Sequence, residues 1–554
     1  TMRLSLPSTQ TQLLKRLRII HLGQDFSTEL IFDEAYYWYY AQDPAWGYFD
    51  HPPMVAWMIG LGTWLLDNEL GVRLLSCILG VGTFLLLWSL TEHPKKNTFV
   101  REFFVWVLSI TLLQAYGFLS LPDTPLLFFT ALFLWLYKRF LNHPGTGIAL
   151  LLGISMAALM YSKYHAALVI LFVLMSHLSL LKNRYAWLAL VVSLLCYLPH
   201  LNWLYQNDFI SIKFHLFERP NQPYDFSKFT LGFFLNMVAL FGLTFPWVYR
   251  TVFQFQAREP FEKALKYLAV GVLAFFFISS FQRRIQTQWL IVICIPIAVM
   301  VGRTLMEAPG LRKWIWRMGL ANILILLWLR VGLVYEPLFP GTFESHGNKV
   351  WVANLQKVAE GNPVIFENSY RLASMYRYYS REPAIALNNA YYRKNQFSID
   401  ESEALVQGKK VFYITKGRKK GDRSYLDYGG IRRYGYFVEN FESFRKLQAG
   451  MPKDIPLKPE RNYEMWIYNP YLKEIPLSKL RFGIAYLDAY KRPGEIQPLK
   501  LQNPPAGMLP SKDTLRFEFI MPSPAKTSPV YARAVISENQ LLWGINGSAQ
   551  RIDP

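Results

Sequence analysis

Between about residue 70 and residue 335 the chain is a succession of apolar stretches, each near the roughly 20 residues a helix needs to cross the hydrocarbon core of a bilayer. They fall at 70–90, 102–119, 124–141, 146–161, 164–181, 185–205, 229–250, 264–281, 288–302 and 313–335. Nothing else in the sequence limits the fold so strongly. Backbone polar groups in hydrocarbon must be satisfied inside the protein, so spans of this length read as helices. Beyond residue 340 the spans stop and charged residues become frequent, as in a water-soluble region. The expected fold is an α-helical polytopic membrane protein with about 10–11 transmembrane helices, followed by a soluble α/β and β-rich region.

The formal charge of +20 invites a nucleic-acid reading. Its distribution argues otherwise. Alternate connections around 95–101, 138–139, 182–184, 250–266 and 303–317 hold fifteen Lys and Arg, and the others hold six. By the positive-inside rule the cation-rich set is cytoplasmic, so the remaining connections face the outer side. Cys77, Cys196 and Cys294 all lie within apolar spans, too scattered for a disulfide framework or a metal cluster. No cleavable signal peptide is expected from the N-terminal pattern, and Leu13–Leu22, carrying Lys15, Arg16 and Arg18, reads either as a degenerate first span or as one of which part is missing from this chain.

Residues 19–72 contain no Lys or Arg, and within them lies FDEAYYWYYAQDPAWGYFDHPP, residues 32–53. That run of twenty-two residues combines four carboxylates, a histidine and a dense set of aromatic rings, and the first loop that holds it, about residues 23–69, is expected on the outer side. Other polar groups map to the same side: Asp123 in SLPDTPLLFF, Lys163 in MYSKYHA, Arg283 and Arg284 in FQRRIQTQW, and His200, Asn202 and Asp208 in PHLNWLYQND. Ionisable groups at membrane depth are costly and therefore mark sites. Each also has a structural reading. Asp123 before Thr124 and Pro125 can cap a helix, Lys163 can snorkel to the interface, the arginines can meet lipid headgroups, and His51 before two prolines can be a turn residue. The rings can form an interfacial belt. What joins these groups is complementarity. A cluster of acids without a cation in sequence reach faces cations carried on later spans, an arrangement suited to sugar transfer from a lipid phosphate.

The run FDEAYYWYYAQDPAWGYFDHPPMVAW, with LGVRLLSCILG, PDTPLLFF, SKYHAALV and RRIQTQWLIVICIPIA, resembles the bacterial protein O-mannosyltransferase-like glycosyltransferases of GT-C architecture, to which the lipid A aminoarabinose transferases are related. The resemblance covers about residues 25–330. It implies an integral membrane enzyme that moves a sugar from a polyprenyl-phosphate donor to an extracytoplasmic protein or glycolipid acceptor with inversion. Asp33 matches the family's catalytic acid, with Glu34 beside it, and Tyr48 to Pro53 match an element in which relatives often carry Glu-Lys where this chain has Asp50-His51. Lys163 matches a donor-phosphate contact, as does a basic residue at Arg284 or Arg283, while Tyr36, Tyr48, Asp50, His51 and Asp123 are expected to shape the sugar and acceptor pockets. No cofactor is required on this reading. Asp33, Asp50, His51 and Asp123 are nonetheless donors suited to a divalent cation, although their spacing is no recognised metal signature. The resemblance places the protein in the bacterial inner membrane, its active site and C-terminal region extracytoplasmic. The rival class, a polytopic transporter or flippase of a lipid-linked or small solute, predicts internal repeats and polar residues near mid-span.

Three domains are expected: a transmembrane domain over 1–339, a soluble α/β domain over 340–475 and a β-rich module over 476–554. The region beyond residue 335 carries 32 basic and 22 acidic residues, which suits an acidic acceptor or anionic lipid. The triplet Asn-Gly-Ser at 546–548 is a formal glycosylation acceptor of the kind met by chance.

Overall fold

The computed structural model describes residues 28–417, 420–452, 456–501, 506–525 and 528–553, and the degenerate span at 13–22 lies outside them. The chain divides into two units, one of residues 1–208 and 224–346 and the other of 209–223 and 347–554.

The first unit is helical. A short α1 (Phe32–Ala41) and α2 (Met54–Leu65) precede α3 (Glu69–Leu90), α4 (Val100–Leu108), α5 (Thr111–Ala115), α6 (Asp123–Asn142), α7 (Thr146–Ser162) and α8 (Ala166–Ser176). Then come α9 (Arg184–Gln206), α10 (Thr230–Phe241), α11 (Phe245–Gln254), α12 (Pro260–Ser279), α13 (Cys294–Glu307) and α14 (Pro309–Val334). Helix lies over each of the ten apolar stretches. Among the described residues five helical segments are long and apolar enough to cross a membrane: 69–90, 123–142, 184–206, 230–254 and 309–334. The protein is thus a multi-pass membrane protein, and its other apolar helices are shorter, interrupted or, like α12, charged at one end. Start signals are local: Asn68 accepts the Gly71 amide at the head of α3, and Glu259 and Glu262 form a capping box around Pro260 at the head of α12.

Two interruptions share one solution. The chain breaks between α4 and α5 at Ser109–Ile110 and between α10 and α11 at Gly242, whose φ of +54° a side chain would strain. The buried Asn322 of α14 serves both, its amide donating to the Ser109 carbonyl at 2.7 Å and to Thr111 Oγ1 at 3.0 Å while its carbonyl accepts the Leu243 amide at 3.3 Å. A Cβ on Gly242 would sit 2.2 Å from that side chain.

The second unit begins with α15 (Asn348–Ala359) and α16 (Tyr370–Ser380) around a five-stranded sheet of order β2-β1-β3-β5-β4. Here β1 (Val364–Glu367) runs parallel to β2 (Ala384–Leu387) and β3 (Val411–Ile414), while β4 (Arg423–Leu426) and β5 (Arg432–Val438) complete the sheet antiparallel. A β-rich portion follows from β6 (Gln448–Gly450) onward. In it β7 (Asn462–Tyr468) pairs with the distant strand 514–520, so pairing runs across the expected boundary at 475. Residues 209–223, between α9 and α10 in the chain, also join this unit: the Asn221 amide bonds the Tyr490 carbonyl at 3.0 Å and the Arg393 guanidinium lies over the Phe214 ring. Asn546 of the formal glycosylation triplet is buried, its amide donating to the Leu447 carbonyl and accepting from the Ile536 amide, which makes it a structural residue.

Candidate functional site

The acidic first loop is organised by α1, whose two sides have different duties. Asp33, Tyr36, Tyr37 and Tyr40 recur at the i, i+3, i+4, i+7 spacing of a single helical face, while Glu34 points elsewhere. Glu34 is fully buried and meets Arg73 of α3 in a two-pronged pair, with Nε to Oε1 at 2.8 Å and Nη2 to Oε2 at 2.6 Å. The same carboxylate accepts the Ser120 amide at 3.0 Å and the Ile31 amide at 3.2 Å. Arg73 also donates to the Thr28 and Glu29 carbonyls. Glu34 thus rivets α1, α3 and the 117–122 connection together, and its place beside Asp33 positions that residue. The expectation of acids without a cation holds for the loop's own sequence, but Arg73, one residue past the cation-free run, supplies a partner for Glu34.

Asp33 sits half-buried in the first turn of α1. Its charge and that of Asp123 both reach the hydroxyl of Tyr116, just past α5. Asp123 opens α6 and Lys163 closes α7, and they form a buried ion pair of 2.6 Å. Here Lys163 does not snorkel. In surroundings of low polarity such a pair persists only where geometry is good, and losing either partner strands a charge. Gly80 of α3 lets the Tyr116 segment approach closely, since a Cβ there would lie 2.7 Å from the Gly117 carbonyl.

The three residues 163–165 reach three directions. Beyond Lys163, Tyr164 Oη meets His200 Nε2 at 3.2 Å, and His200 Nδ1 lies 2.6 Å from the Trp46 carbonyl of the first loop. His165 packs on Trp289, with ring centroids 5.6 Å apart. That links Lys163 to the 283–289 connection, which Asn236 of α10 clamps by donating to the Ile285 carbonyl at 2.8 Å and accepting from Thr287 at 2.7 Å. Arg283 is half-buried and Arg284 exposed on this connection, and among the described residues neither has an ion-pair partner.

The remaining expected residues gather on the tyrosine face of α1. Asp50 accepts from Tyr36 Oη at 3.0 Å and Tyr40 Oη at 3.4 Å. The His51 ring stands edge-on to Tyr37 at 5.7 Å. Tyr48 stacks on Tyr40 at 4.3 Å while its hydroxyl donates to the Asp43 carbonyl and receives the Ala45 amide. These groups build a wall continuous with Asp33 along the helix. Among the described residues no group of three or more His, Cys, Asp or Glu is placed to hold a metal ion, so Asp33, Asp50, His51 and Asp123 are not gathered as a ligand set. Sequence reasoning missed Arg73, Tyr116 and Ser120. An arginine inside an apolar stretch was the available signal for the first, because it demands a carboxylate partner.

In the helical unit two short helices, α1 and α2, stand ahead of α3, and the ionisable groups sit at helix ends. Residues 50–203 match the family described as dolichyl-phosphate-mannose-protein mannosyltransferase. Over 205 residues the chain is 26% identical to the lipid A galacturonosyltransferase RgtD of Rhizobium johnstonii, a match covering 35% of this chain and 42% of that protein. The chain thus spans less than half the length of the curated relative it matches. Among solved structures, that of ArnT from Cupriavidus metallidurans bound to undecaprenyl phosphate aligns with a TM-score of 0.53 at 12% identity, covering 74% of this chain and 94% of that one.

Proposed function

We propose that this protein is a glycosyltransferase that takes a sugar from a polyprenyl-phosphate donor and gives it to an acceptor hydroxyl on the extracytoplasmic side of the inner membrane, with inversion. The observation that carries the reading is the buried Asp123–Lys163 ion pair at the start of α6 and the end of α7, beside a tyrosine, Tyr116, within electrostatic reach of both Asp123 and Asp33. The family match over 50–203 and the likeness to a galacturonosyltransferase support it, as does the resemblance in fold to a protein solved with undecaprenyl phosphate.

In the mechanism, Asp33 accepts the proton of the acceptor hydroxyl as its oxygen bonds to the anomeric carbon from the face opposite the phosphate. The carbon–oxygen bond to phosphate breaks with its electron pair, and polyprenyl phosphate leaves. A single displacement inverts the centre. Arg284 and Arg283, which carry charge that no described carboxylate neutralises, draw the phosphate to the interface. Lys163, held by Asp123, offers a fixed positive group beside the leaving oxygen. The tyrosine face of α1, with Asp50 and His51, receives the sugar. Charge for the leaving group thus comes from side chains, and a divalent cation would be an addition to it. Chelator should leave the rate unchanged, and restoration of a chelator-sensitive rate by one particular cation would show that a metal takes part.

The decisive assay incubates purified protein with a panel of polyprenyl-phosphate sugars and follows release of polyprenyl phosphate. Asp33→Asn should slow release roughly a hundredfold to ten-thousandfold, the usual worth of a positioned base, with an unchanged melting temperature. Release at the parental rate from folded Asp33→Asn protein would remove Asp33 from the mechanism, and solute transport without sugar transfer would replace the reading altogether.

A further inference from the structure

At the other end of the helical unit lies a polar cavity of about 700 Å³, between the end of α11, the start of α12, the end of α13 and the start of α14. It is remote from the Asp33 locus. Helix α12 leads from the cavity to Ser279, whose carbonyl accepts the Arg283 amide, and its 20 residues measure about 30 Å at 1.5 Å per residue. Helix α6 spans the same distance, with Asp123 at one end and, at the other, Lys138 over the Phe261 ring of α12.

The lining is charged in both signs. Arg303 lies 3.0 Å from Glu262, whose other oxygen takes the Arg258 and Glu259 amides, so these two charges satisfy each other and the helix start. Arg250 and Arg258 remain as cations, and among the described residues neither has a carboxylate partner. Against them stand Glu307, 3.6 Å from His93 and mostly exposed, and Glu259, which accepts one amide of its own capping box. Trp247 and Trp314, stacked at 4.9 Å, wall one side, as indoles do where one face meets lipid and the other water.

We propose that this cavity holds the headgroup of a zwitterionic phospholipid, with its phosphodiester on Arg250 and Arg258 and its ammonium on Glu307 and Glu259. Charge counting selects the ligand. A plain anion would satisfy the arginines and face two carboxylates, whereas a headgroup carrying one phosphate and one ammonium answers both. The site takes no part in the proposed sugar transfer, so it stands or falls independently of that activity.

The test is native mass spectrometry of the full chain in detergent with phosphatidylethanolamine and phosphatidylglycerol of equal acyl chains, and with inorganic phosphate and glycerophosphoethanolamine as competitors. Phosphatidylethanolamine should be retained over phosphatidylglycerol. The double variant Arg250→Gln/Arg258→Gln should lower that retention about tenfold or more, the worth of charge-assisted hydrogen bonds, and Glu307→Gln should erase the preference while retention itself persists. Glycerophosphoethanolamine should compete where inorganic phosphate does not. Equal or stronger retention of phosphatidylglycerol by the parent, displacement by inorganic phosphate alone, or retention indifferent to both variants would each overturn the assignment. All three side chains lie at the protein surface or cavity mouth, and matching melting temperatures confirm that the variants fold.

Discussion

Single side chains in this protein do unequal work although they look alike in sequence. Asp33 and Glu34 are neighbours of the same chemical type, yet Asp33 is half-buried with its charge reaching Tyr116, while Glu34 is fully buried and consumed by Arg73 and two backbone amides. Truncating Arg73 should therefore act on folding. Arg73→Met leaves Glu34 buried without its cation and is expected to cost about 3–5 kcal/mol, read as a fall in melting temperature, whereas Asp33→Asn changes rate and spares stability. The double change Arg73→Met/Glu34→Met should recover much of the loss, since a buried pair replaced by apolar groups of similar volume is often close to neutral. If the single and double variants melt alike, Arg73 is not held in place for Glu34's sake.

At the scale of elements, the broken helices concentrate the risk. Four chain ends meet at Ser109–Thr111 and Gly242–Leu243, inside a bundle where water cannot satisfy freed backbone groups, and one amide side chain answers them. Asn322→Leu keeps the volume and removes three hydrogen bonds, so it should destabilise by about 2–4 kcal/mol. Thermal unfolding in detergent measures this, and an unchanged transition would mean the breaks are satisfied in another way. Much of this layer was legible beforehand. Apolar length located the helices, and Asn68, Glu259 and Pro260 marked two of their starts. The breaks within 102–119 and 229–250 were not legible, because an apolar run looks the same whether its helix is continuous or interrupted.

For the whole molecule, the two units answer to different solvents. In the water-soluble unit, burial pushes the carboxyl of Glu538 up to about 7, against the pull of Arg445 at 3.1 Å and with Glu403 adding to the rise. The folded unit holds that proton while the unfolded chain, with an ordinary value of 4.5, gives it up. Stability should therefore fall as pH rises from about 4.5 to about 7 and level off above, the Glu538 contribution being at most about 3 kcal/mol. The same pH series on Glu538→Gln should show a shallower slope, and superimposable slopes would mean that Glu538 is ionised throughout. The candidate site lies wholly in the other unit. Its members, Asp33, Asp123 and Lys163, were legible because charge is scarce among apolar spans and so conspicuous there. The pairing of Glu34 was not legible, because Arg73 lies 39 residues away in the sequence.

The sequence by itself determined that this chain would be helical and membrane-embedded up to about residue 335, with a soluble region after it, because apolar length and the scarcity of charge are local properties that a bilayer reads directly. Only the tertiary structure decided that Glu34 is neutralised by Arg73, that Lys163 pairs with Asp123, and that residues 209–223 pack with the second unit. Those outcomes rest on contacts between residues tens to hundreds of positions apart. Contacts of that kind are selected by the packing of helices and sheets, and no window of sequence contains both partners.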